Sequence, residues 1–346
     1  MKLSVIDQSP VPTGFTPAAA LQNTIELARL TDRLGYERYW IAEHHAMPTL
    51  ACSAPEILLS RIGAETKRIR IGSGGVMLPH YSPLKVAEQF RMLHALYPDR
   101  IDLGLGRAPG GSPLDSYALR RERVDRPLPD DFPEQLVELL AFLHEDFPDQ
   151  HPFKRILVSP RMQNAPDVWL LGSSMWSATA AAQLGLPYAF AHFISPEPTR
   201  SAIEIYHDRF KPSRYLTEPK AIVALGAICA DTDDAAIRLM SSARLMRRRR
   251  DRGEWLPVPT VEEAIAELGD DALKPIRDTS EWPRYFVGSP TTLKQRFEEL
   301  AKALRLDEIM IVTIVHDHQA RIRSYELLAK EFGLTGQTGS QEFARS

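Results

Sequence analysis

Short runs of β-branched and aromatic residues alternate along the chain with longer stretches whose apolar residues recur every three or four positions, the pattern of parallel βα units. The first run is 3–6. After it Leu27, Leu30 and Leu34 share one helical face, Gly35 supplies a stop, and a second strand follows over 39–42. Ser53 and Glu56 read as a capping box with Pro55 in the first turn, opening a helix that runs to about Thr66. Residues 69–73 read as a third strand, and Ser82-Pro83 begins a helix marked by Val86, Phe90, Leu93 and Tyr97. The unit then repeats: strand 101–105, helix 132–147, strand 168–171, helix 174–184, strand 188–191, helix 196–210, strand 222–228 and helix 233–250. An eighth strand, 308–313, precedes a last helix carrying Ile322, Tyr325, Leu328 and Phe332.

Eight strands alternating with helices predict an α/β fold, one (β/α)8 barrel domain over 1–346, because closure lets all strands share one packed interior. Two stretches, 109–129 and 252–284, fit no βα unit. Insertions of this length on a barrel are usually functional loops or lids.

Composition narrows the function classes. Apolar residues make up 44% of the 346 positions and charged residues 25%, so a large buried core is feasible and disorder is not the default. A net charge of −3 gathers neither nucleic acid nor an anionic membrane. Arg247, Arg248, Arg249 and Arg250, flanked by Arg244 and Arg252, sit near a helix C-terminus, where the dipole favours basic groups, and read as a solvated face. Cys52 and Cys229 have no CxxC spacing, which leaves no basis for a disulfide framework or thiolate zinc site. The N-terminal segment lacks the apolar core of a signal peptide, and no uncharged run reaches the ~20 residues of a membrane span. A cytoplasmic location is expected.

In a β/α barrel the residues just past each strand build the site. Strand ends one to five give Asp7-Gln8-Ser9, Glu43-His44-His45, Gly74-Gly75, Gly106-Arg107 and Gly172-Ser173-Ser174. Consecutive strand-end side chains point apart and no other strand end completes a coordination shell, so Glu43, His44 and His45 predict no metal site. One histidine is expected to be structural and His44 to face the cavity as a proton donor or acceptor. Gly74-Gly75 follows a strand directly and cannot be a helix C-cap; close ligand approach or a β-bulge explains it. Arg107 offers a guanidinium fork on a tight loop, and Ser173, Ser174 and Ser177 open the next helix, where hydroxyls and free N–H groups favour an anion. Together they form a candidate phosphate site. Met47, Met77, Phe190 and Phe193 are read as cavity lining or core, with no role assigned.

The blocks YWIAEHH (39–45), IGSGGVMLP (71–79), VAEQ (86–89), RIDLGLGRAPG (100–110), DH (317–318) and SYELLA (324–329) resemble the bacterial-luciferase-like monooxygenases, in order and over nearly the whole chain. The resemblance implies a barrel, usually a homodimer, that binds FMN at its C-terminal face and receives it reduced from a separate flavin reductase, then uses O2 on a small organic substrate such as an aldehyde, ketone or aromatic polyketide-like compound. It implies that His44 is catalytic, that Gly74-Gly75 is a non-prolyl cis peptide beside the flavin ring, that Arg107, Ser173, Ser174 and Ser177 bind phosphate, and that 252–284 is a lid over the site. Gly106 stands where the luciferase itself has a reactive cysteine, and Ser173 where it has a glutamate, so light emission and long-chain aldehyde specificity do not carry over. Two rival readings are hydride transfer by a deazaflavin (F420)-dependent relative and a non-catalytic flavin-binding protein.

Overall fold

The computed structural model describes residues 1–108, 112–119, 130–274 and 280–334. The chain begins with β1 (Lys2–Asp7), α1 (Pro17–Leu34), β2 (Arg38–Ile41), α2 (Pro55–Glu65), β3 (Arg70–Met77), α3 (Pro83–Leu96) and β4 (Ile101–Gly106). It continues through α4 (Pro113–Leu119), α5 (Phe132–His144), β5 (Asp167–Gly172), α6 (Met175–Leu184), β6 (Tyr188–Ala191), α7 (Thr199–Arg209) and β7 (Ala221–Cys229). It ends with α8 (Asp233–Asp251), α9 (Val261–Leu268), β8 (Tyr285–Gly288), α10 (Pro290–Leu304), β9 (Glu308–Val312) and α11 (His318–Glu331).

Helix boundaries follow local chemistry. The Thr16 hydroxyl accepts from the Ala19 N–H, Pro17 takes the first helical position, and Gly35 ends α1 at φ 88°. Thr232, Thr260 and Asp317 cap α8, α9 and α11 in the same way. The expected Ser53–Glu56 capping box does not form. Ala54 is the N-cap of α2 and makes no side-chain bond, while Glu56 accepts from the Gln89 amide of α3 instead.

Seven parallel pairings run in sequence from β1 to β7 and on to β9, and β9 pairs back with β1, closing an eight-stranded (β/α)8 barrel. The pleat sorts side chains by alternation. Leu3 and Val5 of β1, Tyr39 and Ile41 of β2, and Ile309 and Ile311 of β9 point outward into the layer under the helices. Ile6, Trp40, Met310 and Val312 point inward and pack with Trp169, Ile222 and Ala224.

The floor of the barrel, at the strands' N-terminal ends, is closed by charge rather than by hydrocarbon. Buried Arg38 donates to Glu308 at 2.6 and 3.1 Å and to Asp102 at 2.8 Å, and the Trp40 indole donates to Asp102 at 2.8 Å. Arg70 donates to the other oxygen of Asp102. Every buried charge therefore has a partner, which is the condition under which such a network is tolerated.

Three elements depart from the sequence expectation. The strand over 285–288 lies outside the ring: it pairs with Gly226–Cys229 of β7, beyond the last β6 pairing at Ala224. The predicted eighth strand is therefore ninth in the chain. Within 252–284, α9 packs on α8, although Thr260 and Glu263 carry the S/T-x-x-E signature that predicts it. The Ser289-Pro290 start of α10 is a further helix signal absent from the expected element list. Most of the 109–129 stretch lies outside the described residues, apart from α4 and Ser112.

Candidate active site

A cavity of about 440 Å³ opens at the C-terminal mouth of the barrel, and five successive strand ends supply its polar wall. His44, Gly74, Gly75, Arg107, Ser173, Ser174 and Ser177, the candidate catalytic and cofactor-binding residues, all line it.

Glu43, His44 and His45 diverge as consecutive strand-end residues must. Glu43 is buried and fully engaged: it accepts from the Tyr81 hydroxyl at 2.6 Å, the Met77 N–H at 3.0 Å and the His45 ring at 2.6 Å. It thus ties the end of β2 to the end of β3, a positioning role that reading it only as a possible ligand overlooks. Among the described residues no cluster of three metal-capable side chains exists. His45 is the structural histidine of the pair.

His44 turns into the cavity, its backbone N–H held by the Cys52 carbonyl. Its Nδ1 is buried without a hydrogen-bond partner in the protein. Burial, with His45 beside it, lowers its pKa from the ordinary 6.5 to about 4, so the ring is neutral near pH 7. A buried polar atom with no partner in the protein is costly and marks His44 as a candidate functional group.

Strand β3 runs through Gly74-Gly75 rather than ending at residue 73, and the peptide between them is cis. Register with β4 shifts between Ser73 and Val76, the irregularity that the bulge reading describes. A Cβ on Gly75 would stand 2.8 Å from the Gly104 carbonyl oxygen, and one on Gly74 3.1 Å from Trp40 Cβ. At Gly106 a Cβ would meet nothing nearer than 3.9 Å. Gly74 and Gly75 are therefore required by the close packing of β3 against its neighbours, and they line the cavity without side chains.

On the opposite rim the Arg107 guanidinium lies 4.3 Å over the Trp176 ring and pairs with Asp130, both charges being largely exposed. Ser174 is the N-cap of α6 but makes no side-chain capping bond, and the first turn contains no acidic residue. The donors of that helix end are available to an anion. Ser177 differs from the expectation of a direct phosphate donor. Its hydroxyl donates to the Ser174 carbonyl at 2.8 Å and meets the Tyr188 hydroxyl at 3.0 Å, so it shapes the turn under Gly172.

The other polar strand end is structural. Asp7 is buried and accepts from Ser9 N–H, Tyr39 and Arg321. Burial pushes its carboxyl up, but Arg321 and the hydrogen bonds outweigh this and hold it below the usual range. Gln8 alone of that trio reaches the cavity. Of the four apolar residues left without a role, Met77 and Phe193 line this cavity, Met47 lines a neighbouring one, and Phe190 is core.

Comparison with known proteins agrees with this fold. A family model described as luciferase-like monooxygenase matches residues 1–307. The chain is 38% identical to a luciferase-like monooxygenase of Escherichia coli K12 over 328 residues, 94% of this chain and 95% of that protein. It is 35% identical to an N-acetyl-S-alkylcysteine monooxygenase of Bacillus subtilis over 95% of this chain and 97% of that protein. The crystal structure of apo-MsnO8 superposes with a TM-score of 0.88 at 48% identity, covering 96% of this chain and 98% of that one. Two more distant structures share the fold. One is the oxygenating constituent of 3,6-diketocamphane monooxygenase from Pseudomonas putida with FMN (21%, TM-score 0.71, covering 96% and 97%). The other is an F420-dependent secondary alcohol dehydrogenase (14%, TM-score 0.64, covering 94% and 97%). This chain belongs to the luciferase-like monooxygenase family.

Proposed function

We propose that the protein is a monooxygenase that takes reduced FMN from a separate flavin reductase and, with O2, oxygenates a small organic substrate of the aldehyde, ketone or aromatic polyketide-like kind. The observation that carries this reading is one barrel-mouth cavity lined by Arg107 and the start of α6, by His44 with no protein partner at Nδ1, and by Gly74 and Gly75. Bound FMN supplies the electrons that activate oxygen. Arg107 and the N–H and hydroxyl groups at Ser173 and Ser174 hold its phosphate, with Arg107 leaving exposed Asp130 to do so. Gly74 and Gly75 admit the ring edge. His44, neutral and without a protein partner at Nδ1, orients and exchanges a proton with the oxygen species or the substrate. The Phe193 and Ile194 side chains help keep water from the cavity. A cytoplasmic homodimer completes the reading.

FMN is favoured over a deazaflavin because Arg107 and His44 are the basic side chains among the described residues lining this cavity, whereas a longer anionic tail calls for more. A role in binding alone is disfavoured by His44. Oxygen uptake with reduced FMN tests the reading: His44→Ala with intact folding should turn over at least ~100-fold more slowly, in line with general acid–base catalysis. Unchanged turnover would remove His44 from the chemistry.

A further inference from the structure

The arginine run in α8 is not one solvated face. Arg249 is buried and donates to Glu263 at 2.8 Å and to Glu267, both on α9. Arg244 donates to the carbonyls of Asp271, Ala272 and Lys274. These two fasten the 252–284 insertion to the barrel. Arg247 and Arg250 are spaced to share a helical face and line a second cavity of about 360 Å³, together with Arg284. Gln8, His44, Phe193 and Ile194 line both cavities, so the second opens beside the first on the His44 side.

The described lining of this outer cavity includes Arg247, Arg250 and Arg284 and one carboxylate, Glu254. Arg247 reaches Asp251 only at 4.0 Å, and among the described residues no carboxylate stands within ion-pair distance of Arg250. Arg284 donates to the carbonyls of Phe193 and Ile194, which fixes its head at the boundary between the cavities. Most of the remaining wall is apolar, with Met47, Leu50, Met246, Leu256 and Trp255 beside Thr49 and Tyr285. Arg107, Ser173 and Ser174 do not line it, so this second basic site is separate from the one assigned to the flavin phosphate.

We propose that the outer cavity is the substrate site and takes an organic carboxylate. Its anionic head rests on Arg247 and Arg250, its apolar body lies against Met47, Leu50 and Phe193, and the end nearest His44 is the part that is oxygenated. A bidentate guanidinium fork suits a carboxylate, and apolar walls with few convergent polar groups suit a small ligand. The assignment of a reacting end rests on the flavin reading of the first cavity; the carboxylate preference does not.

Trp255 in the cavity wall makes binding visible without turnover. The full chain is titrated with octanoate and with octanamide while tryptophan fluorescence is followed, and Trp255→Phe shows whether the signal comes from this cavity. A saturable response is expected, with octanoate binding about tenfold more tightly than octanamide, the size of one charge-assisted contact at a half-exposed site. Arg247→Gln/Arg250→Gln should abolish that preference, and Arg248→Gln, on an exposed neighbour, should keep it. Equal affinities, a preference surviving in the double variant, a response surviving in Trp255→Phe, or no saturable response to octanoate, hexanoate and decanoate would each overturn the proposal. Reduced FMN is titrated into the same proteins. Equal FMN affinity in wild type and double variant is expected, and a parallel loss would give the arginines to the cofactor and overturn the proposal. Absence of FMN binding in both would instead sink the flavin reading while leaving the carboxylate result standing.

Discussion

Replacing His44 by Gln removes one titration and should flatten the protein's stability against pH over a defined window. The folded ring has its pKa lowered from 6.5 to about 4 by burial, with His45 adding to it. Between those values the unfolded chain binds a proton that the folded chain refuses. Stability is therefore full above about pH 6.5, falls as the pH drops towards 4, and has nothing further to lose below that. The lowering from 6.5 to about 4 caps the effect at about 3 kcal/mol. The ring is half-buried at an open cavity, and screening by solvent brings the expected difference to ~1–2 kcal/mol. Urea unfolding at pH 7.5 and pH 4.5 should show wild type losing about that much more than His44→Gln. The remaining histidines contribute equally to both proteins and cancel. An NMR titration of the His44 ring gives the pKa directly. A value near 6.5, or identical pH dependence in the two proteins, would refute the claim that His44 works as a neutral base.

Other expectations follow from geometry. Arg38→Met should cost about 3–5 kcal/mol by urea denaturation, because Asp102 and Glu308 would be left buried with charge and no Arg38; a loss below about 1 kcal/mol would show the floor network to be dispensable. Gly104→Ala would set a Cβ 2.1 Å from the Ser73 carbonyl oxygen and should destabilise by at least ~2 kcal/mol. Gly106→Ala, with space around it, should stay within about 0.5 kcal/mol of wild type; equal thermal midpoints for the two variants would contradict the wall described for the cavity. Arg107→Ala should leave unfolding nearly unchanged, since its pair with Asp130 is exposed, yet weaken reduced FMN binding about 10–100-fold by equilibrium titration. Unchanged affinity would move the phosphate elsewhere.

The barrel was legible because its strands are buried on both faces and flanked by helices with strong caps, so pattern and punctuation agree at nearly every unit. The site was legible for a related reason. Barrel closure brings strand ends far apart in sequence to one mouth: Arg107, Ser174 and His44 stand one, two and three residues past a strand, and Gly74 lies within the last four residues of β3. What escaped notice depends on partners that spacing cannot reveal. The role of Glu43 is set by Tyr81 and Met77, partners that spacing does not bring together. Ser177 shares its hydroxyl with a tyrosine on the next strand. The arginine run divides by helical face into clamps and cavity wall, and only the position of the 252–284 insertion tells which is which. The strand over 285–288 was missed because four residues pairing outside the ring leave no period to read.

The central claim is most directly tested by titrating the protein anaerobically with reduced FMN and, in parallel, with reduced deazaflavin, then admitting air while following the flavin absorbance. Tight binding of reduced FMN, followed by a protein-held species that is neither reduced nor oxidised flavin, is the predicted result. Tight binding of the deazaflavin alone would replace oxygenation by hydride transfer, and binding of neither would contradict the assignment of the barrel-mouth cavity to a flavin.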